Sequence, residues 1–276
     1  LTSSARSVTS LQAQGTRARP LSTFRDTSTV IWMTERENEI PFSGIDPKGR
    51  IKFGMLLEMF QEMADIDASK FNLSVRQTLE HDVTWVLRKY RIDLEKYPTI
   101  DDGIIKIRTY AEPCRNLFSL RSFRLWNRAG DFLGSAYTWW VLLDIKRERP
   151  IRLDKSELMT GFMERLSEEL PRDVKVPDVT DPQIEEKWKV RWQDLDVNDH
   201  TNHAVFFSWA LDTVPDKVSE GLAPVHVESE FLHAIPRTRV RCLTQEMPCS
   251  EGRRFLHSLR HMEDDTEYAK LSSFWK

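Results

Sequence analysis

Trp192-Gln193-Asp194-Leu195-Asp196-Val197-Asn198-Asp199-His200-Thr201-Asn202-His203 is the most informative stretch of the chain. It begins as a polar loop. It ends as a helix start, because Val205, Phe206, Trp209 and Ala210 follow at helical spacing and Asn202 suits an N-cap. The spacing predicts a helix over about 203–214. Free backbone N–H groups at such a start favour a developing negative oxygen. His is suited to activating water because it titrates near neutrality. Asn can hold a carbonyl oxygen or a water, and Asp can orient its neighbours. The plain alternative is a helix-capping turn, since Asp, Asn and His all frequent such turns.

The same opening occurs 150 residues earlier. Ile45-Asp46-Pro47-Lys48-Gly49-Arg50 precedes Phe53, Leu56, Leu57, Phe60, Met63 and Ala64, one apolar stripe on a helix predicted over 53–71. Aligning Asp196 with Asp46 sets Asn198 on Lys48 and His200 on Arg50, so only the second copy has the polar trio. Strand patterns follow each helix. In the first half these are a short run at 84–87, alternation over 103–110 and 118–126, a turn at 127–131, and a long apolar strand over 132–144. In the second they fall at 225–232, 238–246, 253–261 and 268–275. Between the halves, 152–186 carries Pro171, Pro177 and Pro182 amid charges, with a short amphipathic piece at 158–166, and reads as a linker. A duplicated unit, one copy keeping the chemistry and the other walling a pocket, accounts for this order. Pairing the two copies covers a sheet edge in each.

The 276 residues carry a net charge of −3, with 40% hydrophobic and 30% charged residues. That balance excludes a broad electrostatic attraction for nucleic acid. No apolar run approaches the roughly 20 residues of a membrane span. The cysteines, Cys114, Cys242 and Cys249, are odd in number and unlike a zinc site in spacing, so neither a disulfide framework nor a metal is expected. No cofactor motif is read. Residues 1–26 are rich in Arg, Ser and Thr and lack acids until Asp26, a composition that fits a transit peptide or a disordered tail.

The segment Asp196-x-Asn198-x-His200-x-Asn202 before a helix resembles the signature of acyl-acyl-carrier-protein (acyl-ACP) thioesterases. Asp46-Pro47-Lys48-Gly49-Arg50, Trp85-Val86-Leu87, the 118–125 strand and Gly134 to Leu143 leading into Arg149-Pro150-Ile151-Arg152-Leu153 match in order and spacing. The resemblance implies an α+β fold, a tandem (double) hot-dog in which each unit is a long helix wrapped by an antiparallel β-sheet. The expected organisation is a tail at 1–26, an N-terminal hot-dog at 27–153 holding the acyl chain, a linker at 154–186, and a C-terminal hot-dog at 187–276 with the reacting residues. It further implies hydrolysis of fatty acyl-ACP to free fatty acid and ACP, with Asp196, Asn198 and His200 as the catalytic set. ACP with its acyl chain is the expected partner. A homodimer is compatible with the reading. The compartment is the plastid stroma if the tail is a transit peptide, and the cytoplasm otherwise.

One departure stands out. The family usually supplies a Glu on the strand after the helix, in a segment resembling E-Y-x-x-E. Here the run is Glu230-Phe231-Leu232-His233-Ala234, with Ala234, or His233 after a one-residue gap, at the second Glu position. Glu230 and His233 are therefore auxiliary candidates, although Glu230 would lie about 13 Å along a straight strand from Ala234. Acyl-CoA hydrolysis and non-catalytic or weakly active acyl-carrier binding stay open as alternatives. Lys48, Arg50, Lys52, Arg76, Arg88, Lys89 and Arg91 form either a docking patch for the acidic carrier or a solvated, internally balanced face. Trp139-Trp140 is read as core packing, one ring to each face of its strand. His203 is expected to be exposed. His81, His226, His257 and His261 have no partner at an informative spacing.

Overall fold

The structure is a computed structural model that describes residues 33–114, 116–162 and 171–276. The tail at 1–26 and the second half of the amphipathic piece at 158–166 lie outside the described residues. In chain order the elements are β1 (Thr34–Glu39), α1 (Phe53–Ser69), α2 (Val75–Leu79), β2 (Val83–Leu94), β3 (Ile104–Cys114), β4 (Phe118–Asn127), β5 (Phe132–Asp144) and β6 (Arg149–Ile151). They continue as β7 (Ile184–Lys189), α3 (His203–Asp212), α4 (Asp216–Gly221), β8 (Pro224–Phe231), β9 (Arg239–Met247), β10 (Arg253–His261) and β11 (Glu267–Trp275). One antiparallel sheet runs in the order β1-β3-β4-β5-β2-β8-β11-β10-β9-β7, with β6 paired to β5.

The two halves meet at the β2–β8 pair, where Lys89, Tyr90 and Arg91 oppose Glu230, Ser229 and Glu228. Each half contributes an edge that would otherwise expose unpaired backbone groups. Asp93 of β2 and His226 of β8 add a 2.7 Å contact across the joint. Burial would raise the Asp93 carboxyl, but its hydrogen bonds to His226 and Arg91 win and bring it down to about 2.

Both long helices lie on one face of this sheet. The stripe read from sequence is buried on α1, where Leu56, Leu57, Phe60 and Met63 are fully enclosed. On α3 the enclosed residues include Phe206, Phe207, Trp209 and Ala210. The helices touch at Gly54, where an added Cβ would stand 3.1 Å from the Ser208 hydroxyl. A Cβ there would make the Ser208 side chain give way by a few tenths of an ångström, so glycine gives the tightest approach of the two helices. This is the tandem hot-dog arrangement expected from the sequence.

The connecting stretch is not a loose tether. Val174 and Val176 are buried against Leu120 and Trp139 on the sheet face away from the helices. Lys89 holds it there, donating to the Asp173 carboxylate and the Val174 carbonyl, both at 2.8 Å. Trp139 therefore packs on the linker, while Trp140 points the other way and donates to the Thr138 hydroxyl at 2.8 Å.

Several boundaries differ from the sequence pattern. The short strand expected at 84–87 is the twelve-residue β2, because Lys89 and Arg91 on its outer face interrupt the apolar pattern without interrupting the pairing. β7 begins at Ile184, inside the stretch read as linker, and pairs with β9. β1 is unanticipated, since its TERENE sequence is almost wholly polar and it sits at the sheet edge. Where the amphipathic piece begins, the described residues form a 3-10 turn at Glu157–Met159.

Candidate active site

The two loops aligned by sequence have the same backbone. The Asp196 N–H donates to the His200 carbonyl at 2.7 Å, as the Asp46 N–H does to the Arg50 carbonyl at 2.8 Å. Asp196 Oδ1 accepts from the Asn198 N–H at 2.8 Å, and Asp46 Oδ1 accepts from the Lys48 N–H at 2.8 Å. Asp199 and Gly49, both at positive φ (59° and 77°), close the two turns. Asp is tolerated there because its short polar side chain lowers the cost of left-handed backbone.

The duplicated frame carries different side chains. In the first copy Arg50 pairs with Asp46 at 2.7 Å and donates to the carbonyls of Ser219 and Leu222 near the end of α4. Its charge is fully engaged in tying the two halves together. In the second copy Asn198 turns to the first half, where the Thr84 hydroxyl lies 3.4 Å from its Oδ1. No hydrogen bond ties down the other atom of that amide among the described residues, so it is available to a ligand. His200 is exposed on the same turn, its N–H 3.4 Å from Asp196 Oδ1. The structure thus brings Asp196, Asn198 and His200 together on one turn.

That turn ends at α3, whose N-cap is Asn202, accepting from the Ala204 N–H at 2.9 Å. His203 is half-buried rather than exposed. Its ring stacks on Tyr90 at 6.0 Å, and loss of hydration pushes its pKa down to about 4. A neutral ring at the helix start avoids adding a charge beside a desolvated Tyr90.

The auxiliary candidates do not join this turn. Glu230 faces the linker side of the sheet, accepts from the Val176 N–H at 2.9 Å and lies 3.8 Å from Lys89. It anchors the linker instead of serving the loop, because its strand position alternates with the inward-facing Ser229 and Phe231. His233 and Ala234 are exposed in the β8–β9 connection. That connection does reach the site loop, since the Ile235 carbonyl accepts from both the N–H and the hydroxyl of Thr201. Among the described residues no carboxylate is hydrogen-bonded to the His200 side chain.

The basic patch is mostly engaged internally. Besides Arg50, Lys52 donates to the Ser43 carbonyl, Arg88 to the Leu232 carbonyl at 3.1 Å, Lys89 to Asp173, and Arg91 to Asp93. Arg50, Lys89 and Arg91 pair with carboxylates as the balanced-face reading expects, whereas Lys52 and Arg88 bond to backbone carbonyls. Sequence reasoning missed Thr84, which sits between Val83 and Trp85 in a β-prone run and has no signal of its own. It also missed Asp93 as the partner of His226, and Thr213, Thr244 and Ser273 as the partners of His257, which only the folded sheet and α3 bring together. No group of three or more metal-ligating side chains occurs among the described residues.

A helix wrapped by an antiparallel sheet, built twice on one chain with a polar turn in the second copy facing the first, defines a tandem hot-dog protein. Residues 32–160 match the acyl-ACP thioesterase N-terminal domain and residues 178–276 the acyl-ACP thioesterase C-terminal domain. The chain belongs to the acyl-ACP thioesterase family. It is 26% identical over 207 residues to an acyl-[acyl-carrier-protein] hydrolase of Cuphea viscosissima, covering 71% of this chain and 50% of the relative. It is also 26% identical over 206 residues to a dodecanoyl-[acyl-carrier-protein] hydrolase of Umbellularia californica, covering 71% of this chain and 54% of the relative. The chain thus spans about half the length of the curated relatives it matches. Among solved structures, the 12:0-ACP thioesterase from Umbellularia californica superposes with a TM-score of 0.76 at 19% identity, covering 89% of this chain and 94% of that one. An acyl-ACP thioesterase from Bacteroides thetaiotaomicron gives 0.75 at 17% identity, covering 89% and 98%. At these identities the likeness speaks to the fold.

Proposed function

We propose that this protein hydrolyses fatty acyl-ACP thioesters to free fatty acid and ACP, ending acyl elongation. The observation that carries the reading is the Asn198 amide, held by an Asp196-braced turn and presented across the joint to Thr84. The thioester carbonyl would lie at this amide, with the acyl chain in the first half. His200 would take a proton from water as its oxygen attacks the carbonyl carbon. The C–S bond then breaks, and the carrier thiolate receives that proton. Asp196 fixes the turn through two backbone N–H groups and need not change protonation state. Membership of the acyl-ACP thioesterase family and the names of the Cuphea and Umbellularia relatives support this substrate class. Those relatives are named as chloroplastic, which supports a plastid stroma assignment for this chain. No described helix is long and apolar enough to cross a membrane.

The test is fatty-acid release from a panel of acyl-ACPs, with acyl-CoAs in parallel. Asn198→Ala and His200→Ala should each lower kcat by about 10²- to 10⁴-fold without loss of fold. Wild-type turnover in both variants would remove the turn from the mechanism. A specific observation favours a second reading, acyl-carrier binding with little or no turnover: no carboxylate meets His200 among the described residues, and Glu230 is committed to the linker. Tight acyl-ACP binding without release, unchanged in His200→Ala, would establish that reading instead.

A further inference from the structure

Each copy of the polar turn reaches across the joint to the start of the other half's joint strand. In the first copy Arg50 donates to the carbonyls of Ser219 and Leu222, just ahead of β8. In the second copy Asn198 meets Thr84, the second residue of β2. The two crossings are alike in place and unlike in chemistry. The Arg50 guanidinium is used up, since it also pairs with Asp46. The Asn198 carboxamide has one end engaged and one end free.

Thr84 is open to this contact because β8 does not run alongside it. β2 pairs with β5 from Val83 to Leu94, but with β8 only from Lys89 to Asp93. Ahead of Lys89, β5 holds one side of β2, with Thr84 opposite Leu143. On the other side the second half supplies loops, through the Asn198 amide at Thr84 and the Leu232 carbonyl at Arg88. A β-branched side chain is stiff at χ1, so a strand-held Thr offers its hydroxyl from a fixed place. Asn198 has the opposite character. Its backbone is braced by Asp196, but the last torsion of an Asn side chain is broad and roughly two-fold. Nothing within the residue selects which end of the amide meets a substrate.

The Thr84 hydroxyl makes that selection. It is buried, and Asn198 Oδ1 at 3.4 Å is its acceptor among the described residues. With the amide turned round, the hydroxyl could accept from Nδ2, but its own hydrogen would then be buried without an acceptor, which is costly. Oδ1 therefore goes to Thr84, and the N–H groups of Nδ2 are left for another acceptor. Orientation matters to acyl transfer. Negative charge develops on the thioester oxygen, where a fixed donor stabilises it and a second acceptor would repel it.

We propose that Thr84 is a positioning residue for the hydrolysis: its hydroxyl holds Asn198 Oδ1 so that Nδ2 donates to the thioester oxygen as water attacks. The inference rests on the acyl-ACP reading above. Thr84 keeps its own proton and touches no reacting atom. The first half thereby takes part in the reaction, and the site is complete only when both halves are joined.

The test compares Thr84→Val, which keeps the branched shape and loses the hydroxyl, with Thr84→Ser, which keeps the hydroxyl, in the full chain acting on acyl-ACPs. Thr84→Val should lower kcat about 3- to 10-fold, the loss of one neutral hydrogen bond, and leave KM within about twofold, because the orientation counts only as charge develops. Thr84→Ser should stay within about twofold of wild type in both constants. In an Asn198→Ala background, Thr84→Val should change kcat by less than about twofold, because no amide is left to orient. A merely structural Thr84 would cost the same factor in both backgrounds, and that result would overturn the proposal. So would full kcat in Thr84→Val, or a loss in Thr84→Ser equal to the loss in Thr84→Val. Thr84→Ala takes the place of Thr84→Val, with the same expectations, should the latter lack the wild-type circular dichroism. A wild-type protein that releases no fatty acid from any acyl-ACP would sink the acyl-ACP reading and this inference together, whereas an active wild type indifferent to Thr84→Val would sink this inference alone.

Discussion

The buried ion pair of the first half makes a sharp thermodynamic prediction. Asp67 and Arg121 have side chains only 1% and 8% exposed, at 2.8 Å. Arg121→Met leaves the Asp67 carboxylate with the Thr34 hydroxyl as its remaining hydrogen-bond donor. Asp67→Leu leaves the guanidinium with the Thr109 hydroxyl at 3.3 Å. Each single change strands a charge away from water and should cost about 3–5 kcal/mol. The double replacement removes both charges together and should lie within about 1–2 kcal/mol of wild type, or above it, because apolar residues of similar volume replace a buried pair at little or no net cost. The singles would then sum to about 6–10 kcal/mol, and the coupling would be of the order of that sum. Urea unfolding followed by circular dichroism at pH 7, with equal slopes across the four proteins, measures the cycle. Single losses below about 1 kcal/mol, the range of exposed pairs, would refute the reasoning. So would a double variant as unstable as the two singles added together.

Two further outcomes follow from the geometry. Glu230→Gln should leave acyl-ACP turnover within about twofold of wild type while weakening the linker contact by about 1–2 kcal/mol, since the residue serves the Val176 N–H; a large kcat loss with unchanged unfolding would return Glu230 to the mechanism. His257 is held neutral in the fold, its pKa pushed down to about 3 by burial, while the unfolded chain titrates near 6.5. Its contribution is therefore complete above about pH 6.5 and is lost as pH falls toward 3, at up to about 1.4 kcal/mol per pH unit. Unfolding free energies between pH 7 and 4.5 should fall less steeply in His257→Asn than in wild type, and equal slopes would mean that the folded protein protonates this ring.

Local chemistry makes much of the architecture readable in advance. The α1 stripe, the Asn202 cap, the turn at 127–131 and the strands at 132–144 and 253–261 depend on neighbours within a few residues, and each appears where its pattern puts it. The 150-residue echo of Asp46 in Asp196 is equally legible, because one turn geometry asks for an acceptor at the same place twice. β1 and the full length of β2 are not legible. Their polar residues are tolerated by an edge and by an outer face that the linker covers, neither of which leaves a mark on periodicity.

The sequence alone therefore determined the fold family, the duplication and the turn that gathers Asp196, Asn198 and His200. Tertiary structure decided which distant side chains meet: Asn198 with Thr84, 114 residues away, and Arg50 with the α4 carbonyls across the joint, Glu230 with the linker, and Asp67 with Arg121 within the first half. The reason is physical. Caps, turns and stripes are set by the chain's own next few residues, whereas a partner on another strand is fixed only once the sheet register and the packing of both helices have closed.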